Sequence, residues 1–300
     1  MASIQIVLLK AFLRLDKFFS GDGEELDVKK ERISLEKTAR LFRYKHDLQT
    51  ISEDINGIPA EWIIPSNIIS NRTILYLHGG SYNAGSINTH RVLVANIATA
   101  SRARGLIIEY RLAPEDPFPA SIHDAKLAYE WLIEKGVSPK ELIIAGDSAG
   151  GGLALALLIS IKHDHLRMPA AVVCLSPWTD LTGKGDSNMK NAKKDILLNA
   201  ENLRKAADIY KGQASIDDPL ISPLNGNMEG FPPLLIQVGS DEILLSDSVD
   251  LTSKAKAAGV DVSLEIWKGM QHVWQFAGEM VPESKQAINA IGRFIEARCK

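Results

Sequence analysis

Five residues, Gly146-Asp147-Ser148-Ala149-Gly150, carry a pattern that supports nucleophilic chemistry. They follow the apolar run Leu142-Ile143-Ile144-Ala145 and precede Leu153 to Leu158, so the serine stands where a buried strand passes into a buried helix, the setting of a G-x-S-x-G nucleophile elbow. Glycines on either side leave room for a turn too tight for side chains, and that turn holds the Ser148 hydroxyl outward. A helix that begins just after the serine aims its free N–H groups and positive dipole end at the same point, where negative charge develops in acyl transfer. Such a group attacks a carbonyl carbon and forms a covalent intermediate. It needs a base, a carboxylate to orient the base, and donors for the oxyanion.

Each of these parts has a candidate. His78-Gly79-Gly80-Ser81 follows the strand candidate Ile74 to Leu77, and paired glycines let backbone N–H groups come close to a substrate. Gly79, Gly80 and Ala149 are the expected oxyanion donors. In chains with this elbow the order runs serine, acid, histidine. Of the seven histidines only His272, in Gly269-Met270-Gln271-His272, lies beyond the acid region, which makes it the expected base, with an apparent pKa of roughly 5.5 to 7. His78 precedes the nucleophile and reads as a loop brace; His46, His90, His123, His163 and His165 read as packing or solvated residues. Asp241 and Glu242 both follow the strand candidate Leu234 to Val238, where the acid belongs, and position alone does not choose between them.

The elements that must position these groups are legible from periodicity and turn chemistry. A pair of strands, about 47–51 and 60–64, joined at Asn56-Gly57, reads as an antiparallel edge. Strands and helices then alternate: strand 74–77, helix 87–101, strand 105–110, helix 124–135 closed by Gly136, strand 142–145, the elbow, a helix to about 162, and strand 171–175. The alternation fails between about 181 and 215, where a charged run from Lys184 to Asp195, read as a solvated face, precedes a helix at 199–210. It resumes with strand 234–238, helix 246–258, strand 262–267 and helix 283–297. Alternating strands and helices imply a mostly parallel α/β sheet covered on both faces, with 181–215 as an insertion. Near the start, Ile4, Val7, Leu8, Ala11, Phe12 and Leu15 form an amphipathic stripe, read as a helix packed on the protein, and 34–42 reads as a second short helix.

Composition narrows the function classes. With 300 residues, 45% of them apolar and 24% charged, the chain has ample core for one α/β domain. A net charge of −3 with no basic face argues against nucleic acid. The apolar N-terminal run is interrupted by Lys10 and Arg14 and is too short to span a bilayer, so no targeting signal and no stable membrane insertion are expected. Two cysteines, Cys174 and Cys299, give no disulfide framework and fit a reducing, cytoplasmic setting. A homo-oligomer is compatible with these features, and sequence alone does not fix the oligomeric state.

Further motifs surround the site: Tyr110-Arg111-Leu112-Ala113-Pro114-Glu115, Phe118-Pro119-Ala120, Ser176-Pro177-Trp178-Thr179-Asp180-Leu181 and Asp218-Pro219-Leu220. With His78-Gly79-Gly80 and the elbow, they make the chain resemble the hormone-sensitive-lipase-like family of α/β-hydrolases, in its bacterial esterase branch, over about residues 45–300. The resemblance implies the α/β-hydrolase fold, with a helical cap formed by residues 1–45 and the 181–215 insertion over a catalytic domain at 46–300. It also implies no metal or cofactor, a small-molecule ester substrate with a short- to medium-chain acyl group, and a serine carboxylesterase activity. The family frame D-x-L fits Glu242-Ile243-Leu244, and the interval from Glu242 to His272 matches its pattern, so the resemblance implies a triad of Ser148, Glu242 and His272, with Asp241 the alternative acid. Ser81 stands where the family has a third glycine. The alternatives are an inactive ligand receptor on the same scaffold, or a hydrolase of lactones, amides or carbamates.

Overall fold

Consecutive side chains of a strand point to opposite faces, and in the central strands both sets are apolar. In β5 (Leu142–Asp147), Leu142 and Ile144 enter one core while Ile143 and Ala145 enter the other. Strands buried on both faces belong in the middle of a parallel sheet. The computed structural model describes residues 3–6, 27–40, 44, 47–69 and 71–299. Its sheet has eight strands: β1 (Leu48–Ile55), β2 (Ile58–Pro65), β3 (Thr73–Leu77), β4 (Arg104–Ile108), β5, β6 (Ala171–Leu175), β7 (Leu234–Gly239) and β8 (Val262–Trp267). The spatial order is β1-β2-β4-β3-β5-β6-β7-β8. Pairing is antiparallel for β1 with β2 and β2 with β4, and parallel elsewhere.

Helices cover both faces, as the alternating sequence requires. On one side α2 (Ile87–Ser101) contributes Leu93, Val94 and Ile97 and α8 (Pro282–Arg298) contributes Ile291 and Ile295. On the other lie α3 (Ala120–Glu134), α4 (Ala149–His163) and α7 (Leu245–Ala257). Helix α4 is buried all round from Ala149 to Leu158, which explains why its sequence is apolar without an amphipathic stripe. Between β6 and β7 the insertion forms α5 (Ser187–Lys190) and α6 (Ala200–Lys211). Helix α6 buries Leu203, Ala206, Ala207 and Tyr210, and the Tyr210 ring stacks on Tyr82 at 3.7 Å, next to Trp178. The insertion therefore packs on the loops that carry the candidate site.

Three expectations differ from the structure. The second helix, α1, runs Val28–Ala39 rather than 34–42, because Asp27 caps it, accepting from the N–H groups of Lys29 and Lys30 at 3.0 and 3.1 Å. No residue of α1 is buried, so no apolar period marks its start. Of the N-terminal stripe only Ile4 lies within the described residues; it is exposed, whereas Ile6 is buried against Met270, Trp274 and Val281. The remainder of that stripe lies outside the described residues. Within the charged run, Lys184, Asp186, Lys190, Lys193 and Lys194 are exposed, but Asp195 is buried because three backbone N–H groups, of Leu197, Leu198 and Ile243, donate to it.

The joint between β5 and α4 is the tightest point of the fold. A Cβ on Gly150 would lie on the carbonyl oxygens of Leu77 and His78, and one on Gly146 would meet the Gly150 carbonyl. Because backbone cannot rotate away as a side chain can, Gly150→Ala should destabilise the protein by roughly 3 kcal/mol or more, the upper range for overpacking. A denaturant melt of Gly150→Ala that matches the parent would overturn this account of the joint.

Candidate active site

Ser148 sits between β5 and α4 with φ 52° and ψ −122°, a positive-φ backbone region that non-glycine residues rarely adopt. Hydrogen bonds hold it there. Its N–H donates to Leu175 O at 2.8 Å, and its carbonyl accepts from Trp178 N at 2.9 Å and Gly152 N at 3.1 Å. Strain of this kind persists only when the surroundings over-determine it.

The acid and the imidazole meet directly. His272 Nδ1 donates to Glu242 Oε2 at 2.9 Å, and Glu242 is fully buried. The other carboxylate oxygen, Oε1, accepts from Gly239 N at 2.5 Å and Ser176 Oγ at 2.7 Å. Asp241 is half-buried; its N–H donates to Met270 O at 3.3 Å and its carboxylate accepts from Ser240 Oγ at 3.1 Å. Of the two adjacent carboxylates, Glu242 is the one hydrogen-bonded to His272. Burial pushes the His272 proton affinity down, but the Glu242 hydrogen bond and charge, with smaller contributions from Asp195 and Asp147, raise it overall above the ordinary imidazole value.

The glycine loop behaves differently from expectation at one residue. Gly79 N–H donates to Asp147 Oδ1 at 3.1 Å, and His90 Nε2 lies 3.2 Å from the same nitrogen. That donor is engaged inside the protein, so the expected place of Gly79 among the oxyanion donors does not fit the geometry. Among the described residues the N–H groups of Gly80, Ser81 and Ala149 have no hydrogen-bond partner. Gly80 has φ 117°, open to glycine alone, and its carbonyl accepts from Asn83 N and Ala84 N at 3.0 and 2.8 Å, which fixes the loop.

Several further residues support this arrangement. Asp147 is buried and accepts from Tyr76 OH at 2.8 Å as well as from Gly79, with His90 Nε2 3.3 Å from its second oxygen. Burial raises the Asp147 carboxyl, but His90 and Tyr76 more than offset it and hold the group below the usual carboxylate range. Asn191 Nδ2 donates to Glu242 O at 2.8 Å and Ser240 O at 3.1 Å, while Gln271, next to the imidazole, accepts from Ile196 N at 2.8 Å. His78 is a buried brace: its ring stacks on Tyr110 at 4.2 Å and its Nδ1 bonds Gly79 O at 2.8 Å. Of these, Asp147, Gln271 and His78 stand within motifs legible in the sequence, His78 in the bracing position expected of it, whereas His90 and Asn191 stand outside them.

Comparison with known proteins agrees with this fold. A family model described as alpha/beta hydrolase fold matches residues 74–276. The chain is 39% identical over 295 residues to an acetyl-hydrolase of Streptomyces hygroscopicus, covering 98% of this chain and 97% of that protein. Among solved structures, an esterase from the bacterial hormone-sensitive lipase family superposes with a TM-score of 0.95 at 41% identity over 100% of both chains. EstE5, in a crystal soaked with p-nitrophenyl butyrate, does so with a TM-score of 0.95 at 44% identity over 99% of each. The chain belongs to the α/β-hydrolase family, among its hormone-sensitive-lipase-like esterases, and is an ester hydrolase. Among the described residues no helix is long and apolar enough to cross a membrane.

The brace also carries a pH signature. Burial, with the neighbouring His90, pushes the His78 imidazole down from 6.5 to about 3. Between those values the unfolded chain binds a proton that the folded chain does not, so this group removes stability as pH falls, by at most about 1.4 kcal/mol per pH unit. Asp247, which accepts from Thr179 and Asp180 N–H groups at 2.8 and 2.9 Å, acts in the opposite sense. Burial pushes its carboxyl up to about 7, so the folded chain retains a proton there that the unfolded chain releases. Only a difference between variants isolates His78. His78→Asn should be less stable at neutral pH yet lose stability less steeply than the parent between about pH 6.5 and 4.5. Parallel stability curves would show that His78 is not held neutral.

Proposed function

We propose that this ester hydrolase acts on short- to medium-chain acyl esters through an acyl-enzyme on Ser148, with His272 as base and Glu242 as the orienting acid. The observation that carries the reading is the His272–Glu242 hydrogen bond of 2.9 Å in a site that also holds the strained Ser148 turn. Ser148 Oγ attacks the ester carbonyl carbon as His272 Nε2 takes its proton, and the Glu242 carboxylate stabilises the imidazolium. Gly80, Ser81 and Ala149 N–H groups receive the oxyanion, with Gly79 bracing the loop from behind. Collapse breaks the carbon–oxygen bond, and His272 returns its proton to the leaving alcohol. Water then repeats the sequence on the acyl-enzyme and frees the acid.

The 181–215 insertion forms part of the cap in this reading, over a catalytic domain at 46–300; of residues 1–45, the other part expected, only 3–6, 27–40 and 44 lie within the described residues. The α6 stacking of Tyr210 on Tyr82 supports the insertion's part in it. A roofed pocket favours short acyl groups, as do the acetyl-hydrolase relative and the butyrate ester soaked into EstE5. We further infer a reducing, cytoplasmic setting, since Cys174 and Cys299 are both buried and free.

Rates on p-nitrophenyl esters from acetate to long-chain acids, with the matching anilides as controls, test the substrate class. Turnover should peak at short to medium chains; a rate that climbs steadily to the longest chain would overturn the acyl range. In the same assay Glu242→Gln should lower kcat by roughly a hundredfold or more and Asp241→Asn by much less. The opposite ranking, in variants that melt like the parent, would reassign the acid.

The pH profile has a defined sign. His272 must be neutral to accept the serine proton, and its raised proton affinity moves the acid limb up, so kcat/KM should fall below an apparent pKa above about 6.5. A profile flat to about pH 4 in folded enzyme would remove His272 from the role.

A further inference from the structure

Ser176 is the first residue after β6 and is wholly buried. Its backbone lies at φ 46°, a region that costs any residue with a Cβ, while its N–H is anchored to Gln237 O of β7 at 2.7 Å. From that position its hydroxyl reaches two different loops. It donates to Glu242 Oε1 at 2.7 Å and accepts from Val273 N at 3.2 Å, the amide directly after His272. Val273 is itself strained, at φ 45° and ψ 48°, where a β-branched side chain is a true outlier.

We propose that Ser176 is a positioning residue for the triad: one hydroxyl locks the acid and the base against each other across the ends of three strands. The inference rests on the reading of Glu242 and His272 as acid and base. With Oε1 held by Ser176 and by Gly239 N, the carboxylate cannot turn about its own axis, and Oε2 is left facing His272 Nδ1. With the Val273 amide held by the same oxygen, the backbone that carries the imidazole is fixed from the other side. Packing alone does not require this residue. Glycine would accept φ 46° without strain, so a strained serine at a buried position points to its hydroxyl.

The test separates the hydroxyl from the fold. Ser176→Gly removes the oxygen and relieves the backbone, Ser176→Ala removes the oxygen and keeps the strain, and Ser176→Cys keeps a weak donor of similar shape. Ser176→Gly should melt at or above Ser176→Ala. In both, kcat should fall roughly tenfold to a hundredfold, the range of a lost charge-assisted hydrogen bond, with KM nearly unchanged. Ser176→Cys should lie between these and the parent. The acid limb of kcat/KM should also move up, because a carboxylate with one donor fewer holds the His272 proton more strongly. Asp195 and Asp147, the other charges that act on His272, are untouched in these variants.

A folded Ser176→Gly with parental kcat and a parental acid limb would overturn the inference. So would activity that follows melting temperature across the three variants. His272→Gln in the same assay keeps the two readings apart. If it is inactive while Ser176→Gly is parental, only the positioning role fails; if it retains activity, the triad itself fails.

Discussion

Where β5 turns into α4, backbone packs directly on backbone, and that contact governs the geometry of the whole candidate site. Gly150 lies against the carbonyls of Leu77 and His78, so the end of β3, the start of the glycine loop and the first turn of α4 are placed by a single joint. Ser148 is inside that joint. Its N–H and carbonyl are tied to Leu175 and Trp178, at the end of β6 and just beyond it. A strained residue costs of order 1–3 kcal/mol, and it persists here because neighbours on both sides fix the turn. Ser148 and the N–H groups of Gly80 and Ala149 therefore cannot drift independently: a shift of one carries the others.

Carboxylates staple the remaining loops together. Asp147 joins the elbow to the glycine loop through Gly79, and Glu242 joins the loops after β6, β7 and β8 through Ser176, Gly239 and His272. Asp195 brings the insertion onto the acid loop through Ile243 N, and Asp247 holds the start of the insertion through Thr179 and Asp180. All four are buried. A buried acid, ionised or, as burial favours at Asp247, protonated, is tolerable only when polar partners surround it, and removing one donor leaves a buried polar group without compensation. Such staples fix loop positions more sharply than apolar contacts could, since a hydrogen bond to a charged oxygen has a narrow range of length and angle.

What the sequence disclosed follows from how locally each feature is encoded. The strands, the elbow and the glycine loop depend on residues close together in the chain, and their types and spacing mark them. Helix α1 depends on a single cap, Asp27, and on a face that is only half-buried and includes Glu31, Arg32 and Glu36, so its start is not legible in the sequence. The pairing of Glu242 with His272 needs a turn that brings Gly239 N back onto the Glu242 carboxylate, which the pair Asp241-Glu242 cannot encode by itself. Gly79 was misread for a related reason: a glycine shows that backbone can come close to something, but not which way its N–H points. Asp195 reads as part of a solvated charge run because, beside its local partners Leu197 and Leu198, the contact that carries it inward is with Ile243, 48 residues away.

The electrostatics of His272 give the insertion a second part to play. Burial disfavours the imidazolium, and Glu242 favours it by contact, yet Asp195 and Asp147 also favour it from farther away. In a poorly screened interior such charges retain influence beyond hydrogen-bond range. Asp147 belongs to the elbow and comes with the nucleophile, whereas Asp195 belongs to the insertion, on a segment that also holds the Ser240 and Glu242 carbonyls through Asn191. A change in how that segment packs would move Asp195 relative to the imidazole. Asp195 thus acts twice: it ties the insertion to Ile243 by a hydrogen bond, and its charge adds to those that favour the imidazolium of His272.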